Sequence, residues 1–276
     1  MPELLRANFS RLWKDKIFLI EAAVMAVAGL SIPFAHYIDN IKNNSGWTAE
    51  EDLFTYVFLA PILISVFTAL FIGCEYSDGT MRNKLIAGHR RSHIYIANLM
   101  VCIVAAFILC AAYIVPYLCT ALPLLGKFGY TLKVSAVYTA LSFALTATFT
   151  SVFTLVAMLC RNRAYTAAGC ILISFALLFA GVSIVSALNE PEYFGAYSYT
   201  ENGQTVSGEA ERNPNYLSGT KREIYEFLYD FTPGGQAIQL SGAKAEKPAR
   251  LAAYDGIILL VTAGIGTVFF KRKDLK

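Results

Sequence analysis

The chain has 276 residues, of which 56% are hydrophobic and only 16% are charged, so it is too apolar for an ordinary soluble domain. Its net charge is +3, and no basic face with interleaved aromatic residues stands out, which argues against a nucleic-acid partner. Composition and charge therefore favour a membrane protein.

Six stretches with few or no charges divide the chain, and each is long enough, or nearly so, to cross a bilayer. Crossing about 30 Å of hydrocarbon takes about 20 helical residues. The stretches are 17–36, 53–74, 94–126, 134–160, 164–189 and 252–270. Backbone groups in lipid must be bonded internally, and the alternating pattern of barrel strands is missing from these stretches. The sequence predicts an all-α membrane protein with six transmembrane helices.

Basic residues concentrate in alternate loops, which orients the predicted bundle. Four segments total 44 residues yet hold 14 of the 23 basic residues: 1–16, 75–93, 161–163 and 271–276. The opposite loops hold nine basic and 13 acidic residues: 37–52, 127–133 and 190–250. Because basic loops stay in the cytoplasm, we predict cytoplasmic amino and carboxyl termini in a multi-pass protein of the cell membrane.

The first 16 residues are predicted to form an interfacial amphipathic helix that lies on the inner leaflet and contacts membrane lipids. Leu5, Phe9, Leu12 and Trp13 recur at helical spacing, with basic residues around the remaining circumference. A basic flank that only sets topology is the alternative. The predicted organisation is this helix at 1–16 followed by a six-helix transmembrane domain at 17–276.

Hydroxyl side chains recur every three or four residues along the fourth span, which places them on one helical face. They are Ser135, Thr139, Ser142, Thr146, Thr150 and Thr154. Small hydroxylated residues commonly mediate close helix packing in membranes. The face is therefore either a packing face or the wall of a solvated, cargo-contacting pathway. In the fifth span, Ala176, Ala180 and Gly181 similarly indicate tight packing.

The exterior segment 190–250 is predicted to be a small insertion that contains a β-hairpin and helix. It opens with aromatic residues and then has Asn202-Gly203 between β-prone residues, which signals a tight hairpin. Thr220 and Glu223 fit a capping box at the start of a helix. That helix is predicted to end at Thr232-Pro233-Gly234-Gly235, and Gln236 to Leu240 are predicted to start a short second turn of helix before the last span.

The apolar stripe of this exterior helix and the turn after it have two interpretations. The side chains concerned are Phe227, Leu228, Phe231, Pro233 and Gln236. They either pack onto the spans or form an extracellular gate for cargo.

The sequence shows no complete catalytic motif. No GxxxxGK[ST] phosphate loop occurs, so the chain has no ATPase motif of its own. Ser183 lies in a weak fragment of a nucleophile motif, but the three histidines lie at span ends or in a loop. No Cys or His spacing suggests a metal site, and no cofactor is expected. We predict that the chain is not an enzyme.

The loop at 75–93 is predicted to contain a short helix at the membrane surface. Leu85 and Ile86 lie on it, Gly88 ends it, and Ser92 caps the third span. A short helix that exposes apolar and basic groups suits docking into a groove of a soluble partner. A solvated loop that only sets topology is the alternative.

This loop and the plan of the whole chain resemble the ABC-2 type permeases, the membrane subunits of ATP-driven exporters. In that family an acidic residue at the end of the second span precedes Gly-Thr, a basic residue, an aliphatic pair, a Pro or Gly, and further basic residues. The matching residues are Glu75, Gly79, Thr80, Arg82, Leu85, Ile86, Gly88 and Arg91. The resemblance extends to the Pro233-Gly234-x-Gln236 turn and the basic tail.

The resemblance implies a cytosolic ABC ATPase subunit that binds the loop at 75–93, named here the coupling loop, with ATP and Mg²⁺ held in that partner. It also implies a second permease copy, identical or paralogous, and a bacterial arrangement. Arg82 and Arg91 are expected to orient the docked helix, Leu85 and Ile86 to fill the ATPase groove, and Glu75 to anchor the span end.

The expected cargo is an amphipathic peptide, because compact permeases of this shape resemble exporters of bacteriocins, lantibiotics and phenol-soluble modulins. Efflux of small hydrophobic antibiotics or lipids by the same mechanism is an alternative. A membrane scaffold or sensor without transport is another.

Overall fold

The computed structural model describes residues 1–126, 129–195, 197–201, 204–208 and 210–273. Its helices are α1 (Pro2–Leu12), α2 (Lys16–Asn43), α3 (Tyr56–Ser77), α4 (Thr80–Ile86), α5 (Arg91–Leu125), α6 (Leu132–Leu159), α7 (Arg163–Leu188), α8 (Thr220–Phe231), α9 (Pro233–Ser241) and α10 (Pro248–Arg272). Its strands, between α7 and α8, are β1 (Tyr193–Phe194), β2 (Tyr197–Glu201), β3 (Gln204–Gly208) and β4 (Glu211–Arg212).

Six of the described helices are long and apolar enough to cross a membrane, namely α2, α3, α5, α6, α7 and α10. The predicted all-α membrane protein with six spans is therefore confirmed. Several helices extend beyond their apolar stretch because backbone hydrogen bonding continues through polar residues. α2, for example, runs past the predicted end at residue 36 and stops at Asn44, which is left-handed with φ 53°.

α6 lies at the centre of the bundle and packs against α3, α5 and α10, while α2 packs along α5. Most side chains in the second half of α6 are buried. The α2–α5 contact is close at Gly29, where an added Cβ would lie 2.4 Å from the Tyr113 carbonyl oxygen. The core thus consists of tightly packed helices with little room for a pathway inside one chain.

The two ends of the bundle differ in charge, as predicted. One end, named here the basic end, carries α1, α4 and the last described residue, Lys273. Arg11 pairs with Glu75 there at 2.6 Å, and Lys273 Nζ lies 2.9 Å from the Met158 carbonyl oxygen. The opposite end, named the acidic end, carries the strands, α8 and α9. Its exposure to the cell exterior stays a prediction.

α1 is a helix, but its buried stripe differs from the predicted one. Leu4, Asn8 and Leu12 are buried, whereas Trp13 is 59% exposed. An amide replaces an apolar residue at the centre of the stripe, because Asn8 bonds to a side chain of α5. α1 is therefore held to the bundle by polar contacts as well as by its apolar face.

The insertion at the acidic end contains two antiparallel strand pairs, β1 with β4 and β2 with β3. In the second pair Glu201 lies opposite Gln204, and the predicted Asn202-Gly203 turn between them lies outside the described residues. The predicted capping box of the following helix was wrong. Gly219 is the N-cap of α8, and no side chain within the described residues caps it. Thr220 is thus already helical.

α9 is wedged into the bundle, packing against α7, α6, α3 and α8. It begins at Pro233, where Thr232 Oγ1 accepts a hydrogen bond from the Gly235 amide at 3.2 Å. The sequence predicts a stop here and a short turn of helix at 236–240, and the observed helix starts three residues earlier because Pro suits the first turn of a helix. An added Cβ on Gly234 would lie 1.8 Å from the Leu177 carbonyl oxygen of α7. The α7–α9 contact therefore depends on glycine.

Candidate functional site

A buried carboxylate, Glu75, lies at the basic end, where α3 ends. Its side chain is fully buried, and Oε1 accepts a hydrogen bond from Arg11 Nη1 at 2.6 Å and another from Lys84 Nζ. Oε2 accepts a hydrogen bond from Asn98 Nδ2 at 3.1 Å. These partners lie on α1, α4 and α5. One carboxylate on α3 thus joins four helices.

Two asparagines complete this group. Asn8 Nδ2 donates to Asn98 Oδ1 at 2.7 Å, and Asn8 Oδ1 accepts from Lys84 Nζ at 2.9 Å. The Arg11 guanidinium also lies over a ring of α3, 3.6 Å from the centroid of Phe71. We name Asn8, Arg11, Glu75, Lys84 and Asn98 the Glu75 cluster.

The charges of the Glu75 cluster determine how strongly it holds α1, α3, α4 and α5 together. Two cations share one carboxylate, so Glu75 stabilises both Arg11 and Lys84. Burial lowers the pKa of Lys84, and the Glu75 carboxylate opposes that shift. Removing the carboxylate would leave two partly buried cations without their anion, which is costly in a low-dielectric site. The cluster is therefore a rigid junction of α1, α3, α4 and α5.

α4 lies directly against this junction, and its two ends have defined backbone geometry. Gly79 is left-handed with φ 69°, and Thr80 Oγ1 donates to the Glu75 carbonyl oxygen at 3.1 Å. At the other end Gly88 has φ 84°. The Gly88 and His89 amides donate to the Leu85 and Lys84 carbonyls, which is a Schellman motif.

The side chains of α4 divide into an inner and an outer face. Met81 is buried and Leu85 is partly buried against the core, whereas Arg82 and Ile86 point outward. Ile86 is 75% exposed, an unusual position for a large apolar side chain. The predicted aliphatic pair is thus split, with Leu85 packed inward and Ile86 available to a partner.

A groove of about 380 Å³ lies beside α4 and is shared with α1. Its lining residues are Glu3, Leu4, Ala7, Thr80, Asn83, Lys84, Ala87 and His89. The groove places α1 and α4 on one surface of the basic end.

Two residues of the coupling loop lie elsewhere. The Arg91 guanidinium donates to the carbonyl oxygens of Phe270, at 3.5 Å, and of Lys273, so it holds the end of α10. The predicted cap at Ser92 was wrong. α5 begins at Arg91 with Arg90 as N-cap, and no side chain in the described part of the chain caps it. Of the two predicted docking arginines, Arg82 is the exposed one.

The hydroxyl face of α6 is largely buried between helices. Ser142, Thr146, Thr150 and Thr154 are buried, and Ser135 and Thr139 are partly exposed. Thr146 and Thr150 donate to carbonyls one turn earlier at 2.6 and 2.7 Å, and Ser142 bonds to Tyr56. This burial inside one chain favours a packing face over a pathway wall.

We expect Thr146→Val and Thr150→Val each to lower the free energy of unfolding by less than about 0.6 kcal/mol, the typical value for a hydrogen bond between membrane helices, because both hydroxyls donate within α6 itself. Valine keeps the shape of the side chain, so transport should be unchanged. Thermal unfolding in detergent and a transport assay check this. An altered transport rate or cargo preference in a stable variant would show that the face lines a pathway.

The predicted gate residues separate into two groups. Phe227 and Phe231 of α8 stack at 5.3 Å and meet the Tyr254 ring of α10 edge-on at 5.9 and 5.3 Å. Leu228 is partly exposed beside them. Pro233 and Gln236 of α9 are buried, and Gln236 Nε2 donates to the Asp230 carbonyl oxygen at 3.0 Å. Only the α8 residues are at the surface.

Four residues of the Glu75 cluster were missed by sequence reasoning. Asn98 could have been noticed, because it is the only amide side chain in the third apolar stretch, 94–126. Asn8, Arg11 and Lys84 carry no such signal, since polar residues are common in loops and interfacial helices.

Comparison with known protein families places these features in context. The model of a family described as ABC-2 family transporter protein matches residues 4–181, which is more than half of the chain. The match includes the Glu75 cluster and α4, and it ends within α7. No curated protein matches the chain.

Proposed function

The chain belongs to the ABC-2 family of transporter proteins, and on this basis we propose that it couples ATP hydrolysis by a separate subunit to export of amphipathic peptides. It is an ABC transporter permease, the membrane component of such a transporter. In this proposal the basic end faces the cytoplasm of a bacterial cell and meets the ATPase, which holds ATP and Mg²⁺.

The observation that carries the proposal is the geometry of α4. This seven-residue helix exposes Ile86 and Arg82 on one side, and its other side is fixed to the Glu75 cluster. A partner that binds the exposed side would move α3, α1 and α5 together with α4, because Glu75 of α3 bonds to side chains of the other three helices. A solvated loop would need neither the buried junction nor the exposed apolar residue.

The surface of α7 supports an amphipathic cargo. A groove of about 490 Å³ runs along its outer half and mixes apolar with polar side chains. Its lining residues are Phe179, Val182, Ser183, Ser186, Ala187, Glu190 and Asn215. Ser183 and Ser186 bring hydroxyls to this face of α7, and Glu190 adds a carboxylate just after the helix ends, so the groove suits a molecule with both apolar and polar groups. We place the cargo path here, completed by a second permease copy.

A second candidate cargo is a small hydrophobic antibiotic or a lipid. A groove of about 280 Å³ between α2, α3 and α5 favours it, because its lining is apolar and aromatic. The lining residues are Ala28, Ile32, Thr55, Tyr56, Phe58, Leu59, Ile62 and Tyr113.

Purification of the tagged chain from its native cells in mild detergent tests the proposal. Mass spectrometry should find an ABC ATPase in near-equal amount, and amphipathic peptides should stimulate its ATP hydrolysis. Stimulation by apolar compounds alone would favour the second cargo. A stable preparation without any ATPase would contradict the proposal and favour a scaffold or sensor.

We expect the combined change Arg82→Glu and Ile86→Asp to reduce co-purification of the ATPase at least about tenfold, because a charge enters an apolar contact and another is reversed. Both side chains are exposed, so the fold should persist. Ile41→Asp, at an exposed apolar position at the opposite end of the bundle, is the matched control. Normal ATPase binding by the α4 variant would show that α4 is not the docking element.

A further inference from the structure

Tyr76, the neighbour of Glu75, faces a different part of the basic end. Its hydroxyl donates to the Met158 carbonyl oxygen of α6 at 2.5 Å. Lys273, just after α10, donates from Nζ to that hydroxyl at 3.0 Å and lies 4.2 Å from the ring centroid. Glu75 therefore bonds to α1, α4 and α5, whereas Tyr76 bonds to α6 and to the residue after α10.

The Lys273 ammonium also caps the end of α6. Nζ lies 2.9 Å from the Met158 carbonyl oxygen and 3.4 Å from that of Cys160. Carbonyls in the last turn of a helix have no partner within the helix, and a cation is favoured there. One side chain thus ties the residue after α10 to the end of α6 and to α3.

A second tie holds the same segment from α5. The Arg91 guanidinium donates to the carbonyl oxygens of Phe270 and Lys273. The backbone at the end of α10 is held by Arg91, while the Lys273 side chain reaches across to Tyr76. We name Tyr76, Arg91 and Lys273 the carboxyl-terminal latch.

We propose that the carboxyl-terminal latch carries the movement of α4 to α6 and α10, so that its three residues position the last span during transport. The inference rests on the proposed function, because it assumes that a partner moves α4. The connection is short, because Tyr76 follows Glu75 directly in α3 and lies four residues before the start of α4. The Glu75 cluster would move α1 and α5, and the latch would move α6 and α10.

The surroundings of Lys273 make the latch reversible. Its ammonium is partly removed from water and faces carbonyls, the Tyr76 hydroxyl and the cation Arg161, with Cys160 nearby, whereas Arg91 contacts Lys273 at its backbone carbonyl. Burial, helped by Arg161 and opposed by Cys160, lowers the pKa of Lys273 to about 8. Release returns the ammonium to water, which offsets part of the lost hydrogen bonding.

Removing the ammonium tests the latch. In the reconstituted complex with its ATPase, Lys273→Met should lower peptide transported per ATP hydrolysed about tenfold, because it removes every hydrogen bond that Nζ donates. ATPase binding should remain normal. Lys273→Arg should restore transport per ATP, and Tyr76→Phe should lower it. Lys271→Met, an exposed neighbour, is the matched control.

Proton linkage provides a second readout that a purely structural role would not produce. The ordinary lysine pKa of 10.5 applies to the released state, which therefore binds the proton more tightly than the latched state does. Raising the pH releases that proton, and the neutral amine still donates to the same oxygens without the cost of burying a charge, so the latch is favoured about tenfold between about pH 7 and about pH 9. Hydrogen exchange of the segment 270–273, corrected for its intrinsic pH dependence, should show this added protection.

Lys273→Arg should show no such change, because arginine keeps its charge over this range. An equal gain of protection in Lys273→Arg, or normal transport per ATP in Lys273→Met, would overturn the latch. Either result leaves the proposed function intact. Absence of an ATPase partner would contradict the proposed function instead, and the exchange measurement on the permease alone would still report on the latch.

Discussion

Glu75→Gln should lower the free energy of unfolding by about 2–3 kcal/mol, somewhat less than the loss of one partner from a fully buried ion pair. The amide keeps the size of the side chain but leaves Arg11 and Lys84 without a carboxylate. Both cations retain some exposure, which reduces the penalty. Since the cluster joins four elements, α1 and α4 should loosen together.

Chemical unfolding in detergent, with hydrogen exchange of α1 and α4, measures this effect. Asp78→Asn is the matched control, because Asp78 is an exposed acid three residues further on, and it should change stability by less than about 0.5 kcal/mol. Adding Arg11→Met to Glu75→Gln should recover part of the loss by removing one unpaired cation. Equal stability of Glu75→Gln and the control would contradict the described cluster.

Gly234→Ala should be more damaging still, with a loss of at least about 3 kcal/mol, at the upper end for overpacking. Its Cβ would lie 1.8 Å from the Leu177 carbonyl oxygen, and backbone cannot rotate away as a side chain can. α9 would have to leave its place between α7 and α6. Gly181, on the facing side of α7, should behave in the same way.

Gly169→Ala in the same helix, α7, is the matched control, because nothing lies within 4 Å of its added Cβ. It should be neutral or stabilising by up to about 1 kcal/mol, the usual helix preference for Ala over Gly. Thermal unfolding and the yield of monodisperse protein distinguish the two variants. If Gly234→Ala were as stable as Gly169→Ala, α9 would not be wedged against α7.

The six spans were predictable because length and apolarity are local properties of the sequence. The end of α4 was predictable for the same reason, since Gly88 suits the left-handed residue after a helix. The predicted caps at Ser92 and Thr220 failed because these residues lie within the first turn of helices that start earlier. A shift of one residue at α8, or of two at α5, removes the capping geometry.

The partners in the Glu75 cluster could not be predicted, because they are far apart in sequence. Asn8 and Asn98 are separated by 90 residues, and only the packing of α1 on α5 brings them together. Periodicity placed the hydroxyls of α6 on one face but did not identify what that face contacts. Arg91 matched the family pattern as a docking residue, and its bonds to backbone carbonyls at the end of α10 leave no signal in the sequence.

The most direct test of the coupling role proposed for α4 is ATP-dependent uptake of an amphipathic peptide into inside-out membrane vesicles that contain the permease and the proposed ATPase. Vesicles with the native chain should accumulate peptide only when ATP is present. Vesicles with the combined Arg82→Glu and Ile86→Asp change should not, although the permease is folded and inserted. ATP-driven uptake at the native rate by that variant would contradict the account.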